Sequence, residues 1–193
     1  TDDGISEFDR GGYLVIREPH TLTFLKCGTY KDRPSQADNL HLDIWYKGEN
    51  ILPDAGSYKY NTDAVTMRYF SGTASHNTVM LGENDQMLKG GRFIWYFWPR
   101  HKHSECSESG DEYRLFGSVN VFRYLKDGIV HSRTVNKKKG VPAWDVHDEI
   151  SGAPEGASMR QLWHGALAGA HRMSIVAHGQ KGAQISAITG DGW

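Results

Sequence analysis

The residues best suited to chemistry crowd into one stretch of the chain, between Gln36 and Gln86. Asp38, His41, Asp43, Asp54, Tyr58, Tyr60, Arg68, Tyr69, His76 and Asn77 all fall there, among turn-forming residues. Loops at strand ends are where a β-scaffold usually carries its binding and catalytic groups. Imidazole and carboxylate side chains transfer protons near neutral pH and ligate metals. Tyrosine does so only if a cationic neighbour pulls its hydroxyl down from a free pKa of about 10. Tyr58, Tyr60 and Tyr69 fall in this stretch, with Arg68 beside Tyr69 in the sequence. The plainer reading of Asp54 and Asn77 is hydrogen bonding to turn backbone, and of each tyrosine, packing with a satisfied hydroxyl. The density of polar groups, rather than any single one, favours a site.

Other clusters carry less. His101-x-His103-x-x-Cys106 has metal-like residue types but no evident fourth ligand. Arg100-His101-Lys102-His103 and Lys137-Lys138-Lys139 read as solvated loops, and Ser104 to Gly110 as a polar loop. His131, His147, His164, His171 and His178 are scattered through strands. His164 stands out because it follows Trp163, and aromatic–polar pairs suit sugar faces. Cys27 and Cys106 leave open a bridge or two thiols, and no Cys-x-x-Cys pair suggests zinc or redox work.

The elements that must position these groups are strands. Leu40 to Tyr46 alternates, with Leu40, Leu42, Ile44 and Tyr46 on one face and His41, Asp43 and Trp45 on the other. Further strands are expected at 12–16, 21–25, 51–52, 78–81, 93–98, 113–122, 129–135, 143–150, 159–163, 174–177 and 184–188. Turn signals such as Lys126-Asp127-Gly128 and Ser151-Gly152 separate them. Helix is expected only near Asn61–Met67 and at the start of Pro34–Leu40. The pattern predicts an all-β chain, a large antiparallel β-sandwich with few or no helices, forming one domain over 1–193. A net charge of −1 without a basic stripe excludes whole-molecule steering toward nucleic acid. No apolar run approaches the ~20 residues of a membrane-spanning helix.

Asp54-Ala55-Gly56-Ser57-Tyr58, followed by Tyr69-Phe70-Ser71-Gly72-Thr73-Ala74-Ser75-His76-Asn77-Thr78-Val79, resembles the signature of heparinase II/III-like proteins. Asn84-Asp85-Gln86, Gly128 to Thr134 and Trp163-His164 fit the same pattern, so the resemblance covers nearly the whole chain. It implies the C-terminal β-sandwich of a polysaccharide lyase whose N-terminal α/α toroid is absent here, a fragment expected to be inactive alone. The implied reaction is β-elimination on an acidic, uronic-acid-containing polysaccharide, in the periplasm or outside the cell. Tyr60, Tyr69 and His76 are the implied proton-transfer groups. Arg68, Asn77, Arg92 and His41 are the implied substrate contacts.

The resemblance also implies a structural zinc ion held by His, Asp and His. Asp54 and His76 match two of those positions, whereas Pro34 and Gln36 stand where the family motif has its two histidines. Gln36 is a poor zinc ligand beside imidazole, and His41 is the nearby substitute. The alternative reading is a non-catalytic glycan-binding or structural module. A hydrolase using two of Asp38, Asp43 and Asp54 ranks last, because nothing selects a pair.

Overall fold

The computed structural model describes residues 3–166, 169–171 and 173–179. The chain opens with five antiparallel strands in chain order: β1 (Gly4–Phe8), β2 (Tyr13–Glu18), β3 (Thr21–Lys26), β4 (Leu42–Tyr46) and β5 (Glu49–Leu52). Alternation decides which side of this sheet is buried. Leu14 and Ile16 of β2, Leu25 of β3, and Leu42 and Ile44 of β4 all lose essentially all solvent contact.

A loop leads to helix α1 (Ala64–Ser71), started by Asp63, whose carboxylate accepts the Thr66 N–H at 2.9 Å. A 3-10 turn at Thr73–Ser75 follows, then β6 (Val79–Leu81) and the short hairpin of β7 (Leu88–Lys89) with β8 (Trp95–Tyr96). A second antiparallel sheet is built from β9 (Arg100–Ser109), β10 (Glu112–Asn120), β11 (Val130–Lys138) and β12 (Trp144–Ser151), in the order β12-β11-β10-β9. Last comes β13 (Met159–Gln161), paired with β6.

Leu115, Val119 and Val135 of the second sheet join the buried residues of the first in one core, so the all-β sandwich stands. The sheets approach closely at Gly117, where a Cβ would come within 2.5 Å of the Leu40 side chain and 3.0 Å of Cys27 Sγ. Cys27 and Cys106 are free thiols. Burial pushes both up to about 12.

Several expectations need correction. Ser104 to Gly110 is not a loop: Arg100–Ser109 is a continuous edge strand whose polar residues face solvent. The 93–98 strand shrinks to Trp95–Tyr96, the helix lies about one turn later than Asn61–Met67, and 34–40 and 174–177 are neither helix nor strand. β1 was not anticipated. The strand expected at 184–188 lies outside the described residues.

Candidate functional site

Asp54 follows β5 and closes a tight turn, its Oδ1 accepting the Gly56 N–H at 2.5 Å. Its other oxygen faces two imidazoles, His76 Nδ1 at 3.2 Å and His41 Nε2 at 3.5 Å. The His41 and His76 rings meet edge to face, 5.7 Å between centroids. Both histidines are buried. The face of the β4 segment that carries His41 thus does meet His76.

Asn77 fixes this arrangement. Its Nδ2 donates to the carbonyls of Leu42, Leu52 and Pro53, and its Oδ1 accepts from His164 N at 2.6 Å. Its backbone N–H donates to His41 Nδ1 at 3.0 Å, and its carbonyl accepts from Leu42 N and from Arg133 Nη1. Asn77 was expected to contact substrate. Instead it is fully buried, with its amide engaged at the start of β4 and the end of β5, a pin rather than a contact.

Arg133 is itself buried on β11. It donates to Leu40 O at 2.7 Å and to both oxygens of buried Asp148, while Asp148 also receives His131 Nε2 and Gln161 Nε2. The charge is therefore paired and hydrogen-bonded, as a buried charge must be. Arg133 and Asp148 did not stand out in the sequence. The available signal was a cation in the alternating buried register His131, Arg133, Val135, Lys137 of β11.

Burial alone would raise Asp54, but the His76 hydrogen bond, both imidazoles and the Gly56 N–H hold its carboxyl well below the usual carboxylate range. Burial lowers His41 to about 4, against the pull of Asp54. His164 is also lowered, first by burial and then by His76. At neutral pH the cluster thus pairs an ionised Asp54 with a neutral His41.

His41, Asp54 and His76 present ligand atoms within 4.8 Å of one another, and both Nε2 atoms are buried without a hydrogen-bond partner. That spacing suits a metal; the protons do not. A metal-bound histidine donates its other ring N–H to an acceptor. His41 Nδ1 instead accepts from a backbone N–H, which fixes the proton of neutral His41 on Nε2, the atom facing Asp54. Gln36, the third expected ligand, turns its amide nitrogen to the carbonyls of Gly56 and Phe70. Among the described residues this leaves Asp54 and His76, fewer than the three or four protein ligands of typical zinc sites. The donor set does not fit a zinc ion.

The tyrosines form an outer layer. Tyr60 is 77% exposed, stacks on Phe93 at 5.7 Å and has the Arg92 guanidinium 5.8 Å from its ring centroid. Tyr58 stacks on Phe70, and Tyr69, on α1, meets Phe70 edge-on. Arg68 projects from α1 with no side-chain hydrogen bond or ion pair among the described residues. His76, expected to transfer protons to substrate, and His41, expected to touch it, are buried, unlike the exposed Tyr58 and Tyr60.

A family model described as "Heparinase II/III-like, C-terminal" matches residues 1–193. A heparin-sulfate lyase of Bacteroides stercoris is 30% identical over 98 residues, covering 47% of this chain and 14% of that protein. Among solved structures, a heparinase III gene product aligns over 80% of this chain and 23% of its own, with a TM-score of 0.63 and 22% identity. The heparan sulfate lyase HepC of Pedobacter heparinus aligns over 70% of this chain and 20% of its own, with a TM-score of 0.53 and 20% identity. The chain thus spans less than a quarter of each of these proteins. At such identities the structural likeness establishes the fold alone.

Proposed function

The chain belongs to the heparinase II/III-like C-terminal family, and from that premise we propose that it is the sandwich part of a polysaccharide lyase acting on uronic-acid-containing polysaccharide. The match of the family model over residues 1–193 carries this reading. An N-terminal α/α toroid of the same protein supplies the other wall of the cleft, and without it the sandwich is inactive. The polymeric substrate places the protein in the periplasm or outside the cell.

In β-elimination a base takes the C5 proton of the uronate. The electron pair forms the C4=C5 double bond, the C4–O bond breaks, and the leaving oxygen gains a proton. Of the groups in this chain, the Tyr60 hydroxyl is best placed to exchange that proton: it is open to a ligand, and the Arg92 guanidinium lies beside its ring. Tyr69 is the second candidate. His76 is a positioning residue: it is fully buried, and it holds Asp54 and hence the turn that leads through Gly56 to Tyr58 and Tyr60.

The test is ultraviolet absorbance of unsaturated uronate, released by the full-length protein from a panel of acidic polysaccharides. Tyr60→Phe is expected to lower the rate about 10²- to 10⁴-fold without unfolding the protein. A Tyr60→Phe variant with the parent's rate would remove Tyr60 from the reaction and leave Tyr69 to be tried. A second reading, a glycan-binding module without catalysis, draws on one observation: the conspicuous imidazoles are buried out of a ligand's reach. Saturable binding with no product from any substrate would establish it.

A further inference from the structure

Away from the His41–Asp54–His76 cluster lies a pocket of about 440 Å³ between α1 and the β7–β8 hairpin. Its wall includes Thr62, Met67, Arg68, Lys89, Gly91 and Arg92 and carries no carboxylate. Three cations on one small concave surface repel one another, and the structure brings them together from separate elements. Arg68 comes from α1, Lys89 from β7, and Arg92 from the hairpin turn.

Two of the three cations, Lys89 and Arg92, are held by other structure. Trp95, across from Lys89 in the hairpin, is buried in a small second core with Ala37 and Met87. Lys89 Nζ lies 4.0 Å over the Trp95 ring and donates to Ser71 Oγ at 3.2 Å. Arg92 Nη2 donates to Tyr60 O and Asn61 Oδ1, which leaves its Nε and Nη1 without a partner among the described residues. The Arg68 guanidinium has no hydrogen-bond partner among the described residues. The acid that interacts with Arg68 and Lys89 is Asp85, whose Oδ1 accepts the Thr73 N–H and whose carboxyl burial raises against the pull of that bond and of both cations. Lys89 is lowered, first by burial and then by Arg68, against the pull of Asp85.

We propose that this pocket is an oxyanion subsite, in which Arg68, Lys89 and Arg92 bind a sulfate ester or carboxylate of an acidic glycan. Guanidinium forks present paired donors to such groups, and an ammonium adds a point charge. The assignment rests on the glycan reading above and adds Lys89, which neither motif nor spacing had singled out.

Two probes separate the sources of the oxyanion in the full-length protein. One is a sulfated oligosaccharide without uronic acid, which cannot undergo elimination; the other is an unsulfated oligouronate. In calorimetric titrations, Arg68→Ala/Lys89→Ala is expected to weaken at least one probe about tenfold or more, one charge-assisted contact being worth roughly that factor. Loss confined to the first probe assigns a sulfate subsite, and loss confined to the second a carboxylate subsite. The control Lys126→Ala/Lys138→Ala removes two exposed cations elsewhere and is expected to leave both affinities within about twofold. If neither probe weakens in a variant that melts like the parent, or if the control weakens as much, the subsite is overturned. Lyase activity with unchanged affinities would sink the subsite alone, whereas oxyanion binding without any lyase product would sink the catalytic reading alone.

Discussion

One backbone N–H decides the chemistry of the buried cluster. Because Asn77 N donates to His41 Nδ1, His41 faces Asp54 as a proton carrier, and burial keeps it neutral with a pKa of about 4. Its pKa falls on folding from the ordinary 6.5, so the unfolded chain takes up this proton first as pH drops. The stability His41 supports is therefore complete above pH 6.5 and is lost progressively toward pH 4, by up to about 3 kcal/mol at the lower end. Buried His131 is lowered as well and acts in the same direction, so the measurement is a difference. Urea midpoints between pH 7 and 4.5 should fall less in His41→Asn, which keeps an acceptor for the Asn77 N–H, than in the parent. Parallel curves would remove His41 from the account. The same tautomer predicts that stoichiometric zinc leaves the parent's melting temperature unchanged, and a rise of several degrees would show the proton displaced. Asp54 and His76 were legible in the sequence through the family resemblance. The meeting of His41 with them was not, since it depends on pairing across the fold, where Leu42 N reaches Asn77 O.

At the level of elements, alternation revealed the strands that have a buried face, and it failed where there is none. β9 lacks the alternation of a half-buried strand because its polar residues lie along an exposed sheet edge, where charge blocks pairing with other chains. The helix start was misplaced because the Asp63 cap, rather than any apolar periodicity, begins α1; none of its residues is buried. β11 shows the opposite case, charged residues in a buried register. Arg133 there ties Leu40 O and Asn77 O to Asp148 on β12, joining the segments that carry His41 and His76 to the second sheet. Removing it strands Asp148 as a buried charge and takes from Leu40 O its hydrogen-bond partner, while Asn77 O keeps the Leu42 N–H. Arg133→Met is expected to cost about 3–5 kcal/mol in denaturant unfolding, the scale of a broken buried ion pair. A loss below about 1 kcal/mol would mean that water or a neighbour replaces the guanidinium.

On the scale of the molecule, the sandwich is stabilised from within. Its core draws on both sheets, and a second buried charge, Lys137, spans them by donating to Glu18 Oε2 at 2.5 Å and to the carbonyls of Lys138 and Val141. One core joins both sheets among the described residues, so residues 1–193 are expected to melt cooperatively on their own. The active groups are different. Tyr60, Arg68 and Arg92, the groups proposed to meet the substrate, stand on a loop, a helix and a hairpin turn and are exposed. Catalysis needs a glycan held so that its C5 proton meets one group and its leaving oxygen another, and an open surface does not exclude water or fix that geometry. The isolated chain should therefore give no unsaturated uronate from a substrate the full-length protein cleaves, while retaining its melting transition and the binding of a charged oligosaccharide in the Arg68–Lys89–Arg92 pocket. Product from the isolated chain at a comparable rate would place the whole reaction on the sandwich and make the toroid a substrate-gathering domain. Loss of the melting transition would instead show that the toroid is needed to fold it.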